Sequence, residues 1–128
     1  WPEAVLVQSV EALAASAYGC AGQPCRAFSV AVAVGNAGDP LVHGLCEHAS
    51  QFKVGPTDGN PDADMGPLIR REHLQRVTGY LDVAGADGAT VALDGRRDFA
   101  SDAFLLGPCV VDQARGSPRK KSSGPSCR

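Results

Sequence analysis

The stretch AYGCAGQPC, residues 17–25, runs on into RAFSVAVAVG, residues 26–35, and the reading of these two segments decides the fold. Ahead of them, Val7, Val10, Leu13, Ala14, Ala17 and Tyr18 recur at helical spacing and predict a helix over 4–18 with one apolar stripe. Gly19 and Gly22 break that pattern, and Pro24 stops the helix from continuing. Phe28 to Val34 is short, almost continuously apolar and rich in valine, which predicts a buried strand covered on both faces, as in a parallel sheet. The helix before Cys25 and the strand after it would hold a small-residue loop in place, with the thiol at its end.

Working outward, Asp39-Pro40 predicts a helix start, with Asp39 as cap and Pro40 in the first turn. Leu41, Val42, Leu45, Ala49 and Phe52 mark the apolar face of that helix. VGPTDGNPDADMGP, residues 54–67, is a polar loop of a length that often serves a site or an interface. A further helix is expected over roughly 69–84, with Leu74, Val77, Leu81 and Ala84 buried and Gly85 and Gly88 ending it. Thr90 to Leu93 reads as a strand, Asp94-Gly95 as a turn, and Leu105 to Val111 as another short apolar segment. The order helix, strand, helix, helix, strand, strand predicts an α/β layer architecture, a mostly parallel sheet with flanking helices.

The charge is uneven. The net charge is −2, but residues 114–128 hold Arg115, Arg119, Lys120, Lys121 and Arg128 and no acid, which leaves −7 on 1–113. We therefore divide the chain into a globular part, 1–113, and a basic Ser/Pro-rich tail, 114–128, expected to be disordered. A basic tail can bind nucleic acid electrostatically, but a solvated tail is the plainer expectation, and no nucleic-acid partner is assigned. No run reaches the ~20 apolar residues of a membrane helix, so no membrane partner is expected. The N-terminus has no signal-peptide pattern. Trp1-Pro2 resembles a cut end more than a natural start. Five cysteines, an odd number without a repeating framework, predict reduced thiols inside the cell.

Among those thiols Cys25 is the candidate nucleophile, because glycines allow close approach of a substrate and Arg26 beside it can stabilise negative charge. The alternative is a structural cysteine in a tight turn. Cys20 lies five residues earlier, without the two-residue spacing of common dithiol pairs. His43, Cys46 and His48 do not form a metal set, since 48 points away from the face shared by 43 and 46 and no fourth ligand follows. Asp58, Asp62 and Asp64 lack the twelve-residue calcium pattern. No phosphate-binding glycine motif occurs, so no cofactor-binding residues are assigned.

The pieces AYGCAGQPC (17–25), SVAVAVG (29–35), DADMGPLI (62–69), GATVALDGR (88–96) and FLLGP (104–108) resemble, in order and at near-family spacing, the aldehyde dehydrogenase superfamily. Within it the match is closer to the methylmalonate-semialdehyde dehydrogenase branch, which acylates coenzyme A. The resemblance makes 1–113 part of the catalytic domain and Cys25 the catalytic residue. It implies thiolate attack on a small aldehyde, hydride transfer to NAD, a thioester on Cys25, loss of carbon dioxide and transfer of the acyl group to coenzyme A. The backbone N–H of Cys25 would be one oxyanion donor. The implied location is the cytoplasm of a bacterium or the mitochondrial matrix of a eukaryote, and the full-length family is homo-oligomeric.

Three departures accompany the resemblance. Pro24 stands where this branch usually has an arginine that binds the substrate carboxylate, so Arg26 becomes the candidate substrate-binding residue. The family's nucleotide-binding domain, the asparagine completing its oxyanion hole and its oligomerisation strands are expected outside these 128 residues. The expectation is therefore a fragment that alone binds no cofactor and turns over nothing. The alternatives are a non-catalytic remnant or, among enzymes, a dehydrogenase that releases its acid to water. The third departure is the tail, where the family continues Glu-Glu-Ile-Phe-Gly-Pro-Val-Leu. One codon choice for 119–128, CGA AAG AAG TCT TCG GGC CCG TCC TGC CGG, read two bases later gives Lys-Glu-Val-Phe-Gly-Pro-Val-Leu-Pro. A reading-frame shift near 112–118 is the expectation that follows.

Overall fold

A computed structural model describes residues 3–23, 25, 27–96 and 104–113. The expected basic tail at 114–128 lies outside the described residues, as do Pro24 and Arg26. Helix α1 spans Glu3–Tyr18, α2 spans Gly38–Ser50 and α3 spans Arg71–Ala86; β1 is Thr90–Leu93 and β2 is Val110–Asp112.

The three predicted helices are present, with adjusted ends. A short 3-10 turn at Gly35–Ala37 leads into α2 ahead of the expected start. Ala37 is therefore the capping position, without a side-chain bond, and Asp39 lies in the first turn instead. There its carboxylate still favours the positive end of the helix. At the other end of the chain's helical part, α3 runs through Gly85 and stops at Asp87. Gly88 adopts φ +83°, its N–H donates to the Gly85 carbonyl at 3.3 Å, and the Ala89 N–H donates to the Ala84 carbonyl at 2.9 Å. This paired closure needs a left-handed residue after the cap, which glycine supplies without a Cβ penalty.

The sheet is where expectation and structure part. β1 pairs antiparallel with β2, Thr90 facing Asp112 and Val91 facing Val111, with a bulge before Leu93 meets Val110. Parallel pairing among the described residues is a single bridge, Val54 to Met65. The predicted buried strand over 28–34 is not laddered to any described neighbour. Phe28, Val30, Val32 and Val34 are 63–84% exposed. A strand is stable only against a partner that takes its N–H and C=O groups and covers its side chains. The valines carry a pattern suited to burial on two faces, and the described residues supply neither face.

The core is correspondingly small. Its apolar side chains are Val10 and Ala14 of α1, Ala49 of α2, and Met65, Leu68, Leu81, Leu106 and Val110. α1 and α2 cross closely at Gly44, where a Cβ would come within 2.9 Å of a Val10 methyl. Val7, expected on the buried stripe, is half exposed. The 54–67 loop closes on itself: Asp64 N–H donates to the Lys53 carbonyl at 2.8 Å, and the Lys53 N–H donates to the Asp64 carboxylate at 2.9 Å. Its mouth is shut by the Val54–Met65 bridge, so a long polar excursion leaves and returns at one place.

Candidate active site

Cys25 sits in an exposed turn between α1 and the extended valine segment. The chain reaches it by an unusual route. Cys20, Ala21 and Gly22 have φ of 47°, 56° and 71°, a left-handed turn entered directly from the end of α1. Two of these are not glycine, and each such residue costs on the order of 1 kcal/mol, so the surroundings must hold them. Gln23 does so. Its backbone N–H and its side-chain Nε2 both donate to the Cys20 carbonyl, each at 3.2 Å. Its Oε1 accepts the Ile69 N–H at 3.4 Å.

Ile69 belongs to the segment DADMGPLI, so the structure joins the first and third of the resembling motifs through one side chain. That segment is held in turn by the Leu68 N–H, which donates to the Phe104 carbonyl at 2.9 Å, and by the Arg71 guanidinium, 5.5 Å above the Phe104 ring. The closed 54–67 loop thus delivers its end to the cysteine turn, which gives the length of that loop a structural purpose.

The root of the turn is anchored separately. Tyr18, the last residue of α1, packs edge-on against Phe52 at 5.7 Å and donates its hydroxyl to the Cys109 carbonyl at 3.0 Å. Burial, and then the neighbouring Cys109 and Cys46, push the Tyr18 phenol up to about 12. The Cys109 thiol accepts the Gly95 N–H at 3.3 Å, and burial pushes its pKa up. Burial, then Asp112, does the same to Cys46. A raised pKa keeps a thiol protonated and unreactive, so Cys46 and Cys109 suit structural roles. Gln23 and Tyr18 were not singled out as site residues in the sequence. Gln23 is the one long polar side chain in a run of small residues, and a tyrosine on an apolar stripe needs a partner for its hydroxyl; those were the available signals.

Other candidates are not drawn together. Cys20 and Cys25 are both free and exposed. His43 faces Glu47 at 3.7 Å and His48 stacks edge-on with Phe52 at 5.5 Å, so neither ring turns toward Cys46 as a shared ligand. Among the described residues no three His, Cys, Asp or Glu side chains are gathered as for a metal ion. Arg26 lies outside the described residues. A concavity of about 200 Å³ is lined by Leu6, Val34, Asn36, Ala37 and Pro40 and does not include Cys25. It is smaller than the ~300 Å³ at which ligand pockets begin.

The described residues do not fit a dinucleotide by themselves. A pyrophosphate takes a glycine-rich turn at a helix N-terminus with free N–H groups. α2 opens with Asp39 and Pro40, a negative charge and a missing donor, and α3 opens with Glu72 in its first turn.

An exposed cysteine turn thus lies between a helix and an extended segment, and the class of protein follows from the comparison of the whole chain: it belongs to the aldehyde dehydrogenase family, matching it over residues 1–119. Malonate-semialdehyde dehydrogenase of Halalkalibacterium halodurans is 37% identical over 112 residues, 87% of this chain and 23% of that protein. Methylmalonate-semialdehyde dehydrogenase of Oceanimonas doudoroffii superposes with a TM-score of 0.79 at 36% identity, covering 91% of this chain and 24% of that one. Betaine aldehyde dehydrogenase of Staphylococcus aureus, solved with NAD, superposes at 0.72 with 32% identity, over 80% of this chain and 21% of its own. The chain spans less than a quarter of the length of these relatives. No helix among the described residues is long and apolar enough to cross a membrane.

Proposed function

We propose that the chain is the central part of the catalytic domain of an NAD-dependent aldehyde dehydrogenase that acylates coenzyme A, of the methylmalonate-semialdehyde type. In this reading Cys25 is the nucleophile and these 128 residues alone turn over nothing. The observation that carries it is the exposed Cys25 thiol on a turn tied by Gln23 to the DADMGPLI segment, inside a family match that covers both. The thiolate sulfur attacks the aldehyde carbon. A C–S bond forms, the carbonyl electron pair moves to oxygen, and that oxygen takes a proton to give a thiohemiacetal. The Cys25 backbone N–H acts on the oxygen as charge develops.

NAD and coenzyme A enter this proposal with the longer protein. A related methylmalonate-semialdehyde dehydrogenase of Sinorhizobium meliloti is solved with NAD, which supports NAD as the cofactor of the longer protein. The remainder of the protein would also complete a mostly parallel sheet on the exposed valine segment and provide the homo-oligomer contacts. Arg26 is proposed as substrate-binding, in place of the arginine that the resemblance expects at Pro24. The bacterial relatives support a cytoplasmic location in a bacterium. The tail at 114–128 is proposed to be disordered and read in a shifted frame, which sequencing of the underlying DNA decides.

The test is protection of Cys25. The chain is incubated with methylmalonate semialdehyde, then treated with iodoacetamide, and labelling is located by mass spectrometry. Protection of Cys25 well beyond that of Cys20 is expected, together with no NADH formed on adding NAD and coenzyme A. Equal labelling of the two exposed thiols at every aldehyde concentration would support the second reading, a non-catalytic remnant, which Pro24 beside the nucleophile favours. NADH production by the chain itself would overturn the claim that it is inactive alone.

A further inference from the structure

We propose that Gln23 is a positioning residue for Cys25, a clasp whose side-chain amide fixes the left-handed turn and ties it to the segment leading into α3. The inference rests on the reading of Cys25 as nucleophile. Three observations converge on it. The turn contains two non-glycine residues at φ 47° and 56°, which relax unless something holds them. The Cys20 carbonyl, at the centre of that turn, accepts both the backbone and the side-chain donor of Gln23. The other end of the same amide accepts a backbone N–H from 46 residues further along the chain, joining two segments distant in sequence.

The chemistry requires both ends of an amide at once. Nε2 must donate to a carbonyl while Oε1 accepts from an N–H, a pair that the glutamine amide offers at every pH of the experiment. Alanine removes both bonds. Glutamate keeps the acceptor for Ile69, but as a carboxylate it faces the Cys20 carbonyl with no proton to give. As a carboxylic acid it can again donate and accept, so the clasp in Gln23→Glu should close below the ordinary glutamate range near ~4.3 and open above it. A residue that merely fills space would show no such dependence.

The experiment compares wild type, Gln23→Ala and Gln23→Glu in two measurements from pH 3.5 to 8. One is hydrogen exchange at the Ile69 amide. The other is the rate at which Cys25 reacts with dipyridyl disulfide, relative to Cys20 in the same tryptic peptide; that reagent attacks thiols in acid as well. In Gln23→Ala, the Ile69 amide should exchange about threefold faster or more, for a hydrogen bond of modest net strength, and the Cys25:Cys20 ratio should shift about twofold or more. In the Cys25:Cys20 ratio, Gln23→Glu should match wild type at the acid end and Gln23→Ala at neutral pH, while its Ile69 amide, which keeps an acceptor, should exchange more slowly than in Gln23→Ala. Half-buried Cys109 should label at the wild-type rate throughout, which separates a local change from unfolding. Ile69 exchange and a Cys25:Cys20 ratio that match wild type in Gln23→Ala would overturn the clasp, as would a Cys25:Cys20 ratio in Gln23→Glu that is independent of pH. Loss of aldehyde protection in wild type would instead sink the nucleophile reading while leaving these two measurements intact, so the two failures are distinct.

Discussion

Gly95 offers the sharpest test of how this small fold supports its cysteine turn. A Cβ placed on Gly95 would fall on the Gly107 carbonyl group and within 2.6 Å of its Cα, so the obstacle is backbone and cannot rotate away. The same contact carries the Gly107 N–H donating to the Gly95 carbonyl at 3.0 Å, and the Gly95 N–H donates to the Cys109 thiol at 3.3 Å. Gly95→Ala therefore adds an overpacking cost of about 1–3 kcal/mol and disrupts two hydrogen bonds at about 1 kcal/mol each. The total is about 3–5 kcal/mol, comparable to the whole stability of a small domain. With a urea slope of about 1–1.5 kcal/mol/M at this size, the midpoint should fall by about 2 M or more, or the transition should vanish. Helical ellipticity followed through a urea series reads it. Gly79→Ala is the control, because nothing lies within 4 Å of its Cβ position in α3. Helix propensity alone should make that variant about 0.5–1 kcal/mol more stable. A Gly95→Ala midpoint within about 0.3 M of wild type would refute the packing argument.

Two further outcomes follow from the surroundings of the turn. Tyr18 has its pKa raised from 10.0 to about 12, so the neutral phenol is favoured in the folded chain. The stability this contributes is complete below pH 10 and is lost as pH rises from 10 through about 12; Tyr18→Phe should flatten that alkaline loss and cost about 0.5–1.5 kcal/mol at pH 7. Thermal melts of both proteins from pH 7 to 12 check this, and an identical alkaline slope in the two would count against it. The exposed valines at 30, 32 and 34 should bind an apolar dye and drive self-association. Val32→Lys should lower the sedimentation-detected aggregate several-fold at unchanged helical content; a wild-type chain that stays monomeric at high concentration would remove the basis for it.

What the sequence made legible is the local and periodic part. The α3 stripe of Leu74, Val77, Leu81 and Ala84 faces inward, with Leu81 buried, because a 3.6-residue repeat is visible without knowing its partner. Thr90–Leu93 is a strand for the same reason, at period two. The sheet was not legible, since strand direction and partner depend on residues far along the chain. The run over 28–34 carries a burial signal that the described residues do not meet, because periodicity and composition do not name a partner. The cysteine turn was legible as a glycine-rich break, whereas its left-handed path through Cys20 and Ala21 was not. Non-glycine residues at positive φ leave no mark in a sequence, because the interactions that hold them come from elsewhere.

That asymmetry bears on what the cysteine can do. The features around Cys25, a left-handed turn, the Gln23 hydrogen bonds and the anchored end of α1, are all made within the described residues, two of them by contacts between segments far apart in sequence. A dehydrogenase needs more than a placed thiol. A dinucleotide requires a helix N-terminus that α2 and α3 do not offer, and a second oxyanion donor requires a side chain from another segment. In the proposed function, it is the position of Cys25 on the turn, not exposure alone, that sets it apart from the likewise exposed Cys20 in thiohemiacetal formation. Completing the oxidation requires that the hydride acceptor be held against the same carbon, and a placement of that kind tolerates errors of only ~1 Å. In that proposal the first chemical step would rest on the Cys25 turn, and the second would need a hydride acceptor held against the same carbon by the longer protein.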